Sequence, residues 1–374
     1  MKHSSSKRTA KPRVVLVVEL FPTPMQAYVV DRFLRLRDLG WDAHVVCRDV
    51  DDEVWQTFPA FTTRPKLRRR IHEDRGKGLA ATIAALAPHL IHVEFAHLAP
   101  PLLPLRGRLS CACIVSFQTC DPQLVSRAKA YRALWAEADA VHTVSTSLWR
   151  FMQEAGCPAD KPHAVIPPGV DAAFFDPGAR LHRDVAGPSR PLRVLSVGRL
   201  HWSKGYDYGL QAVRLLRDQG LPCDYHIIGG GSFRPAVEYA IADLGLRDSV
   251  RMIGARGPRE VQQELRWADV LLQPSLSEAF GVAAIEAQAM MVPVVCSDAN
   301  GLPEAVAAGE SGLIVPRRDA AALATALRRL AADPGERQRL GENGRRRVLA
   351  HFQPETQARR FDALYRQVLG LPAP

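Results

Sequence analysis

The first group of residues suited to chemistry is a basic segment at positions 198 to 205, which follows an apolar run and precedes a helical pattern. Gly198 lets the backbone turn where a strand ends, and a helix start presents free N–H groups and a partial positive charge. Arg199 adds a planar guanidinium and Lys204 a point charge, and both groups suit phosphate oxygens. The segment therefore predicts a diphosphate site; the alternative is a pair of surface cations beside an ordinary turn.

The second group is a pair of carboxylates, Glu278 and Glu286, in a segment that again runs from a strand end into a helix. The helix start between them exposes the backbone amides of Phe280, Gly281 and Val282. A diphosphate fits at those amides, so that the two acids can accept hydrogen bonds from a hexose at one end of the ligand and a ribose at the other. The alternative is an amphipathic helix with surface acids, but the apolar neighbours of Glu286 would make an unpartnered carboxylate costly there.

These segments need a framework, and short β-branched runs alternate with helical patterns throughout the chain. The first half contains strand candidates at 14–20, 44–47, 90–94, 113–117, 140–144 and 164–167. The second half contains them at 192–198, 225–229, 250–253, 270–273, 294–296 and 313–315. The pattern predicts an α/β protein with two Rossmann-like domains, whose mostly parallel sheets face an interdomain cleft.

The composition divides the chain into four segments. A basic tail at 1–13, expected to be disordered, precedes an N-terminal Rossmann-like domain at 14–187 and a C-terminal one at 188–352. The boundary near 187 rests on a polar stretch punctuated by proline and glycine. The final segment, 353–374, carries an apolar stripe at helical spacing and is expected to pack back across the domains.

Overall composition indicates a packed globular protein of several domains. Of 374 residues, 47% are hydrophobic and 24% charged, which excludes disordered, collagen-like and coiled-coil classes. The apolar runs are far shorter than the ~20 residues that span a bilayer, and the first of them does not continue as a signal peptide would. The seven cysteines lack paired metal-ligand spacing and are expected to be buried thiols of a cytoplasmic protein.

The positive charge is concentrated in two stretches. Lysine and arginine exceed acids by 49 to 39, and residues 1–13 and 64–70 each carry five of the cations. Such clusters can attract anionic lipid headgroups, by about 1 kcal/mol per cation, or any other polyanion. They are compatible with peripheral attachment to the inner membrane face. The alternative is a disordered tail and a solvated loop. Motifs for nucleic-acid binding do not accompany the clusters, so we do not expect a nucleic-acid partner.

With these motifs in view, the sequence resembles the retaining nucleotide-sugar glycosyltransferases of family four, which have the GT-B fold. Positions 198–205 match the family's G-R-L-x-x-x-K-G segment, and 278–286 match its E-x(7)-E motif, including the intervening Phe-Gly. Residues 166–171 resemble its I-P-N-G-V-D turn, 301–304 its G-x-P-E loop, and 311–316 the strand that follows. The resemblance covers about 150 residues continuously and is far more specific than any single motif.

The resemblance implies roles on the donor side. Arg199 and Lys204 would hold the donor diphosphate, with Glu278 on the transferred sugar as the third catalytic residue, and Glu286 would bind the ribose. Further donor contacts are implied at Gly198, Gly230, Ile253, Phe280, Gly281 and Val282. For the glycines at 229 to 231, a structural turn is the alternative.

Metal chemistry is not expected from this sequence. Two cations and a helix start already neutralise the phosphates, so neither a cofactor nor a divalent ion is needed. Asp49-Val50-Asp51 has the form of a metal-binding D-x-D motif, but two more acids follow it, and we interpret it as a solvated loop.

The acceptor side, assigned to the N-terminal domain, departs from the family pattern. Where the family often has a histidine, this chain has Gln118, which cannot take up a proton near neutral pH. Other titratable candidates at strand ends are His92, Glu94, His97 and Asp121. Instead of a paired glycine after the first strand, the chain has residues 21–25, Phe-Pro-Thr-Pro-Met, which resemble a subgroup of polysaccharide-assembly enzymes.

The resemblance thus implies retaining, metal-independent transfer of a hexose from a nucleotide-diphosphate sugar to a glycan or lipid-linked acceptor hydroxyl, in polysaccharide or glycolipid assembly. Two alternatives stay open. One is a GT-B sugar-nucleotide epimerase, and the other is a non-catalytic sugar-nucleotide-binding paralogue, which Gln118 makes conceivable. A dinucleotide oxidoreductase is least supported, because a G-x-G-x-x-G segment opens neither half.

Overall fold

The protein is described from a computed structural model, which covers residues 11–23, 27–52, 55, 64–76, 78–119, 128–178 and 190–373. It consists of two compact units. The first contains Met1–Thr143, Met152–Ile166 and Gln357–Pro374, and the second contains Val144–Phe151 and Pro167–Thr356. The boundary predicted near 187 lies outside the described residues, while the last helix belongs to the first unit from Gln357 onward.

Nine strands belong to the described part of the first unit. They are β1 Arg13–Val17, β2 Leu20–Phe21, β3 Asp42–Cys47, β4 Asp49–Val50, β5 Ile71–Glu73, β6 Leu90–Val93, β7 Ala112–Phe117, β8 Ala140–Thr143 and β9 His163–Val165. Seven of them form a parallel sheet in the order β5-β3-β1-β6-β7-β8-β9, and β2 pairs with β4 separately. The chain thus winds first to one side of β1 and then to the other, as in a Rossmann sheet.

The second unit repeats this winding in one parallel sheet. Its strands are β10 Leu192–Val197, β11 Cys223–Ile228, β12 Val250–Gly254, β13 Val270–Gln273, β14 Val294–Ser297 and β15 Gly312–Val315. Their order is β12-β11-β10-β13-β14-β15, so the first strand again lies in the middle of the sheet. The expected α/β architecture with two Rossmann-like parallel sheets is confirmed.

Thirteen helices lie within the described ranges. They are α1 Ala27–Asp38, α2 Leu79–Ala85, α3 Leu103–Leu109, α4 Ala128–Glu137, α5 Thr146–Glu154, α6 Tyr206–Asp218, α7 Arg234–Asp243, α8 Pro258–Trp267, α9 Val282–Ala289, α10 Leu302–Ala305, α11 Ala320–Ala332, α12 Pro334–His351 and α13 Pro354–Leu369. Short 3₁₀ turns occupy Pro65–Arg70, Ala96–Leu98 and Trp202–Lys204. Among these described helices, none has the length and apolar character needed to cross a bilayer.

Each unit has its own apolar core between sheet and helices. In the first unit, Val14 and Leu16 of β1 pack with Phe33 of α1. The stripe on α13 is buried in that same core through Phe361 and Tyr365, which are both fully inaccessible. The predicted apolar face of the last helix is therefore covered by the first unit.

The strands that the sequence did not predict are short. All twelve predicted segments fall on observed strands, but β5, β2 and β4 were missed. β5 has three residues, Ile-His-Glu, at the edge of the sheet, too few to show a periodic pattern. Asp49 and Val50 form the short strand β4, so the segment interpreted as a solvated loop begins on a strand, with Asp49 exposed.

Candidate active site

The sheet order of the second unit brings the two predicted motif segments together. β10 and β13 are neighbours, yet the chain leaves them toward opposite sides of the sheet, which opens a crevice at their carboxyl ends. Gly198 directly follows β10, and Pro274 directly follows β13. The loops are joined by backbone bonds, because the Ser203 carbonyl accepts from the N–H of Leu276 at 2.7 Å and of Ser277 at 3.2 Å.

Two of the predicted catalytic residues contact each other across this crevice. The Lys204 Nζ donates to Glu278 Oε2 at 2.5 Å, and the Ser275 hydroxyl donates to the same oxygen at 3.3 Å. The side chains of Lys204 and Glu278 are only 18% and 13% exposed. The groups assigned to opposite parts of a ligand therefore form a largely desolvated ion pair.

Arg199 has a different environment from Lys204. Its side chain is exposed and has neither a hydrogen bond nor an ion pair with the described residues. Burial, followed by the positive charges of Arg199 and Lys204, lowers the pKa of nearby His201. The loop thus carries a positive local potential and one guanidinium free to bind an anion.

Three glycines, Gly229 to Gly231, follow β11, and backbone packing requires two of them to be glycine. A Cβ at Gly229 would stand 1.9 Å from the Gly198 carbonyl oxygen, and one at Gly231 would stand 2.4 Å from that of Leu200. A Cβ at Gly230 would meet only the Ala255 Cβ, at an ordinary 3.5 Å. Close backbone packing accounts for the outer glycines, whereas packing does not require Gly230, whose donor contact stays a prediction.

The start of α9 is fixed by contacts on both sides. Phe280 is buried against Phe352 in an edge-to-face arrangement with ring centroids 5.5 Å apart. Gly281 has a φ of 110°, and a Cβ there would stand 2.6 Å from Leu302 Cδ2. The helix begins at Val282, and the N–H groups of Ala284 and Ile285 donate to the Gly281 carbonyl oxygen at 3.0 and 3.3 Å. The amides of Val282 and Ala283 precede these first bonds of the helix, as amides at a diphosphate site would.

Glu286 lies in the second turn of α9 and is half-buried. Burial raises the pKa of its carboxyl to about 8. No described residue pairs with it, in contrast to Glu278. A carboxyl group that no described residue pairs with, held on a largely buried helix, is suited to ligand hydroxyls.

The loop at 301–304, which resembles G-x-P-E, is hydrogen-bonded to the segment that carries Glu278. The Gly301 N–H donates to the Glu278 carbonyl oxygen at 2.9 Å. The Glu304 carboxylate accepts from the N–H groups of Thr146 at 2.8 Å and Ser147 at 2.7 Å, and so caps the start of α5. Sequence reasoning gave Glu304 no role, because its partner lies 158 positions away.

The donor-side base contact predicted at Ile253 falls at the end of β12. Ile253 is half-buried there and precedes Gly254, whose φ is 84°.

The described residues contain no group of three or more His, Cys, Asp or Glu side chains that could hold a metal ion.

The corresponding edge of the first unit contains a closed polar network. Glu94 follows β6, is fully inaccessible, and forms an ion pair with buried Arg32. Burial raises the pKa of Glu94, while Arg32 opposes that shift. The Gln118 Nε2 donates to Glu94 Oε2 at 3.0 Å, and the Tyr28 hydroxyl donates to Gln118 Oε1. Both ends of the Gln118 amide are therefore bound within the unit.

His92 belongs to a buried hydrogen-bonded chain. Ring nitrogens of His92 lie 2.5 Å from the Tyr365 hydroxyl and 2.6 Å from Ser116 Oγ, which lies 2.7 Å from His142 Nδ1. His142 Nε2 must donate to the Ile166 carbonyl oxygen, so every bond is satisfied with both rings neutral. Burial lowers the pKa of His92 well below its usual value and that of His142 to about 3.

Among charged groups at this edge, an exposed pair stands out. His97 Nε2 and Glu19 Oε2 are 3.4 Å apart, and the side chains are 56% and 57% exposed. Asp121, the remaining acceptor-side candidate, lies outside the described residues. The acceptor roles of His92, Glu94 and Gln118 stay predictions, since all three side chains are engaged inside the unit.

Two family models match successive parts of the chain. The model described as Glycosyltransferase Family 4 matches residues 25–174, and the model described as Glycosyl transferases group 1 matches residues 179–347. The first match covers most of the first unit and the second covers the crevice with Arg199, Lys204, Glu278 and Glu286.

Similar curated proteins are named as enzymes of polysaccharide assembly. WcaL of Escherichia coli strain K12, whose name places it in colanic acid biosynthesis, is 38% identical over 204 residues, which are 53% of this chain and 48% of that protein. The amylovoran biosynthesis glycosyltransferase AmsK of Erwinia amylovora is 38% identical over 211 residues, 54% of this chain and 50% of that protein. The chain spans about half the length of these curated relatives.

Solved structures share the fold over nearly the whole chain. Sucrose-phosphate synthase from Thermosynechococcus elongatus has a TM-score of 0.78 at 24% identity, covering 96% of this chain and 100% of that one. Anabaena Alr3699/HepE in complex with UDP-glucose has a TM-score of 0.76 at 17% identity, covering 96% and 98%. At these identities the likeness establishes the fold.

Proposed function

Since this chain belongs to the family-four glycosyltransferases and has the GT-B fold, we propose that it transfers a hexose from a nucleotide-diphosphate sugar to an acceptor hydroxyl. Its relatives in colanic acid and amylovoran biosynthesis support a role in polysaccharide or lipid-linked glycan assembly. The neighbour solved with UDP-glucose supports a nucleotide sugar as the donor.

One observation carries the proposal: Lys204 and Glu278 meet where the loops after β10 and β13 are joined, and the second of these loops leads into α9, which carries Glu286. Arg199 lies on the first loop without a partner among the described residues. Arg199 and Lys204 supply positive charge where a leaving diphosphate needs it, and α9 supplies amides. Glu278 precedes those amides in the sequence and Glu286 follows them. Glu278 accepts hydrogen bonds from hydroxyls of the transferred sugar, and Glu286 accepts them from the ribose. The arrangement suits stabilisation of charge that grows on the diphosphate.

The proposed transfer retains the anomeric configuration. The bond from the sugar's anomeric carbon to the diphosphate oxygen breaks, and the acceptor oxygen bonds to that carbon on the same face. The acceptor's proton passes to an oxygen of the departing phosphate, so a protein base is unnecessary. This route is compatible with Gln118, which cannot take up a proton and whose amide is already hydrogen-bonded.

Metal independence is part of the proposal. Arg199, Lys204 and the amides of α9 provide the positive charge that a divalent ion supplies in other transferases. We expect transfer to persist in excess EDTA, and loss of activity that Mg²⁺ or Mn²⁺ restores would refute this part.

The test is to identify the donor and then follow its fate. Thermal shifts with UDP-, GDP- and ADP-glucose should reveal one donor that raises the melting temperature, because it binds only the native state. Acceptor-dependent release of the nucleoside diphosphate then supports transfer. An epimerised donor formed without acceptor would favour the epimerase, and tight binding with neither outcome would favour the non-catalytic alternative.

We further propose that the basic stretch 64–70 attaches the protein to the cytoplasmic face of an anionic membrane. Arg70 is engaged with Asp42, whereas Arg64, Lys66 and Arg69 are exposed. Replacing these three with serine should abolish cosedimentation with phosphatidylglycerol vesicles in low salt, with phosphatidylcholine vesicles as the control. Unchanged cosedimentation would refute this attachment site.

A further inference from the structure

The ion pair between Lys204 and Glu278 joins the two groups that the proposed function assigns to different parts of the donor. The two residues are 74 positions apart, and their side-chain atoms meet at 2.5 Å with little exposure. Backbone bonds from Leu276 and Ser277 to Ser203 hold the two loops together. The contact is therefore a feature of the folded crevice and not of flexible surface side chains.

The two partners make conflicting demands on a ligand. A diphosphate that approaches Lys204 also approaches Glu278, and like charges repel strongly at a site shielded from water. Drawing the ammonium onto the phosphates also leaves the Glu278 carboxylate without its cation. A bare nucleoside diphosphate offers that carboxylate nothing in return, because its terminal phosphate only adds negative charge.

A nucleotide sugar meets both demands. Its diphosphate carries less negative charge than that of a bare nucleoside diphosphate, because the terminal phosphate is esterified. The attached sugar brings hydroxyl groups that can donate to Glu278. Resting on the proposed function, we infer that the Lys204–Glu278 pair determines donor specificity by exchange of partners. When the donor binds, Lys204 leaves Glu278 and binds the diphosphate, and Glu278 accepts hydrogen bonds from sugar hydroxyls. A bare nucleoside diphosphate cannot complete this exchange and therefore binds less tightly.

This exchange has a consequence for turnover. Once the sugar has left, Glu278 loses its hydroxyl donors while the diphosphate still occupies Lys204. The ammonium then returns to Glu278, and the product is released. Arg199, which lacks a partner among the described residues, contributes attraction to donor and product alike and therefore does not discriminate between them.

The test is to measure binding by calorimetry for the donor that stabilises the wild type and for its bare diphosphate, for example UDP-glucose and UDP. Glu278→Gln keeps the shape and removes the charge. It should bind the bare diphosphate about tenfold more tightly, which corresponds to about 1.4 kcal/mol, and the nucleotide sugar less tightly. In a Lys204→Gln background the same change should have at least a threefold smaller effect, because no ammonium is left to exchange.

A matched control separates this exchange from general charge. Asp298→Asn removes a carboxylate at the same sheet edge that is paired with Arg317, and it should change diphosphate affinity less than twofold. Circular dichroism reports whether each variant is folded, and Glu278→Ala serves as a second variant if the glutamine form melts early.

The outcomes are distinguishable. A diphosphate affinity in Glu278→Gln within twofold of wild type, or a gain equal to that of Asp298→Asn, would overturn the exchange and leave the proposed function standing. If UDP-, GDP- and ADP-glucose and their diphosphates all fail to bind the wild type, the proposed function fails, and the exchange fails with it.

Discussion

The carboxyl edges of the two sheets share a topology but use their polar residues in opposite ways. In the second unit, Arg199 and Glu286 have no partner among the described residues. In the first unit, Arg32 and Glu94 are fully buried and paired. The same strand order thus yields one edge with groups available to a ligand and one edge whose polar groups hold the structure together.

The difference shows what the winding of a Rossmann sheet determines. It fixes where polar side chains from separate segments meet, because the chain diverges at the central pair of strands. It does not determine whether those side chains form hydrogen bonds and ion pairs with one another. In the first unit Glu19 and His97 form an exposed pair at this edge, in contrast to buried Arg32 and Glu94.

The largest expected effect is on transfer by the second unit. Arg199→Ala should lower kcat/KM by about a thousandfold, or ~4 kcal/mol, because it removes a charge that the proposed function assigns to the leaving diphosphate. The measurement is initial-rate kinetics with the identified donor. Arg328→Ala is the control and should be neutral, because this exposed arginine of α11 donates only to Gln219, which directly follows α6, among the described residues. Near-wild-type transfer by Arg199→Ala would contradict the assignment of the second unit's edge to donor binding.

The next effect concerns stability of the first unit. Glu94→Gln should lower the free energy of unfolding by about 3 kcal/mol, because Arg32 would remain buried without its counter-charge. Urea unfolding followed by circular dichroism measures this change. Glu19→Gln, which alters an exposed pair, should cost under ~1 kcal/mol. Equal costs for the two variants would contradict the scaffolding role of the buried network.

A smaller effect is the loss of stability at low pH that buried, neutral His142 causes. The unfolded chain protonates His142 below its ordinary pKa of 6.5, while the native pKa is about 3, so stability falls as pH decreases through this window. One such histidine contributes a loss of about 2 kcal/mol by pH 5, at 1.36 kcal/mol per pH unit. Histidine NMR should show a neutral His142 ring at pH 5, and protonation near pH 6.5 would refute the buried chain.

The smallest effect is at Glu286 and has the opposite sign. Its native pKa of about 8 exceeds the usual 4.5, so its contribution to stability is present below 4.5 and is lost as pH rises toward 8. Glu286→Gln should therefore stabilise the free protein by about 1 kcal/mol at pH 8, after allowance for partial exposure, and hardly at all at pH 4.5. Urea unfolding at both pH values measures this, and a destabilised variant at pH 8 would mean that Glu286 has a protein partner.

The sequence predicted most of the framework, and the fold brings the two segments of the donor-side prediction together. Strands such as β10, Leu-Arg-Val-Leu-Ser-Val, and β13, Val-Leu-Leu-Gln, are mostly apolar, so local pattern is enough to find them. Local pattern cannot predict which polar groups pair. Lys204 contacts Glu278 across 74 positions, and His92 contacts Tyr365 across 273, so both contacts depend on the completed fold.

The central claim is that the second unit binds the nucleotide sugar at the ends of β10 and β13. Amide hydrogen exchange, measured by mass spectrometry with and without saturating UDP-, GDP- or ADP-glucose, tests this without altering a residue. We predict that the stabilising donor slows exchange in peptides covering 198–205 and 278–286. Slowed exchange confined to peptides of the first unit, with those two segments unchanged, would contradict the account.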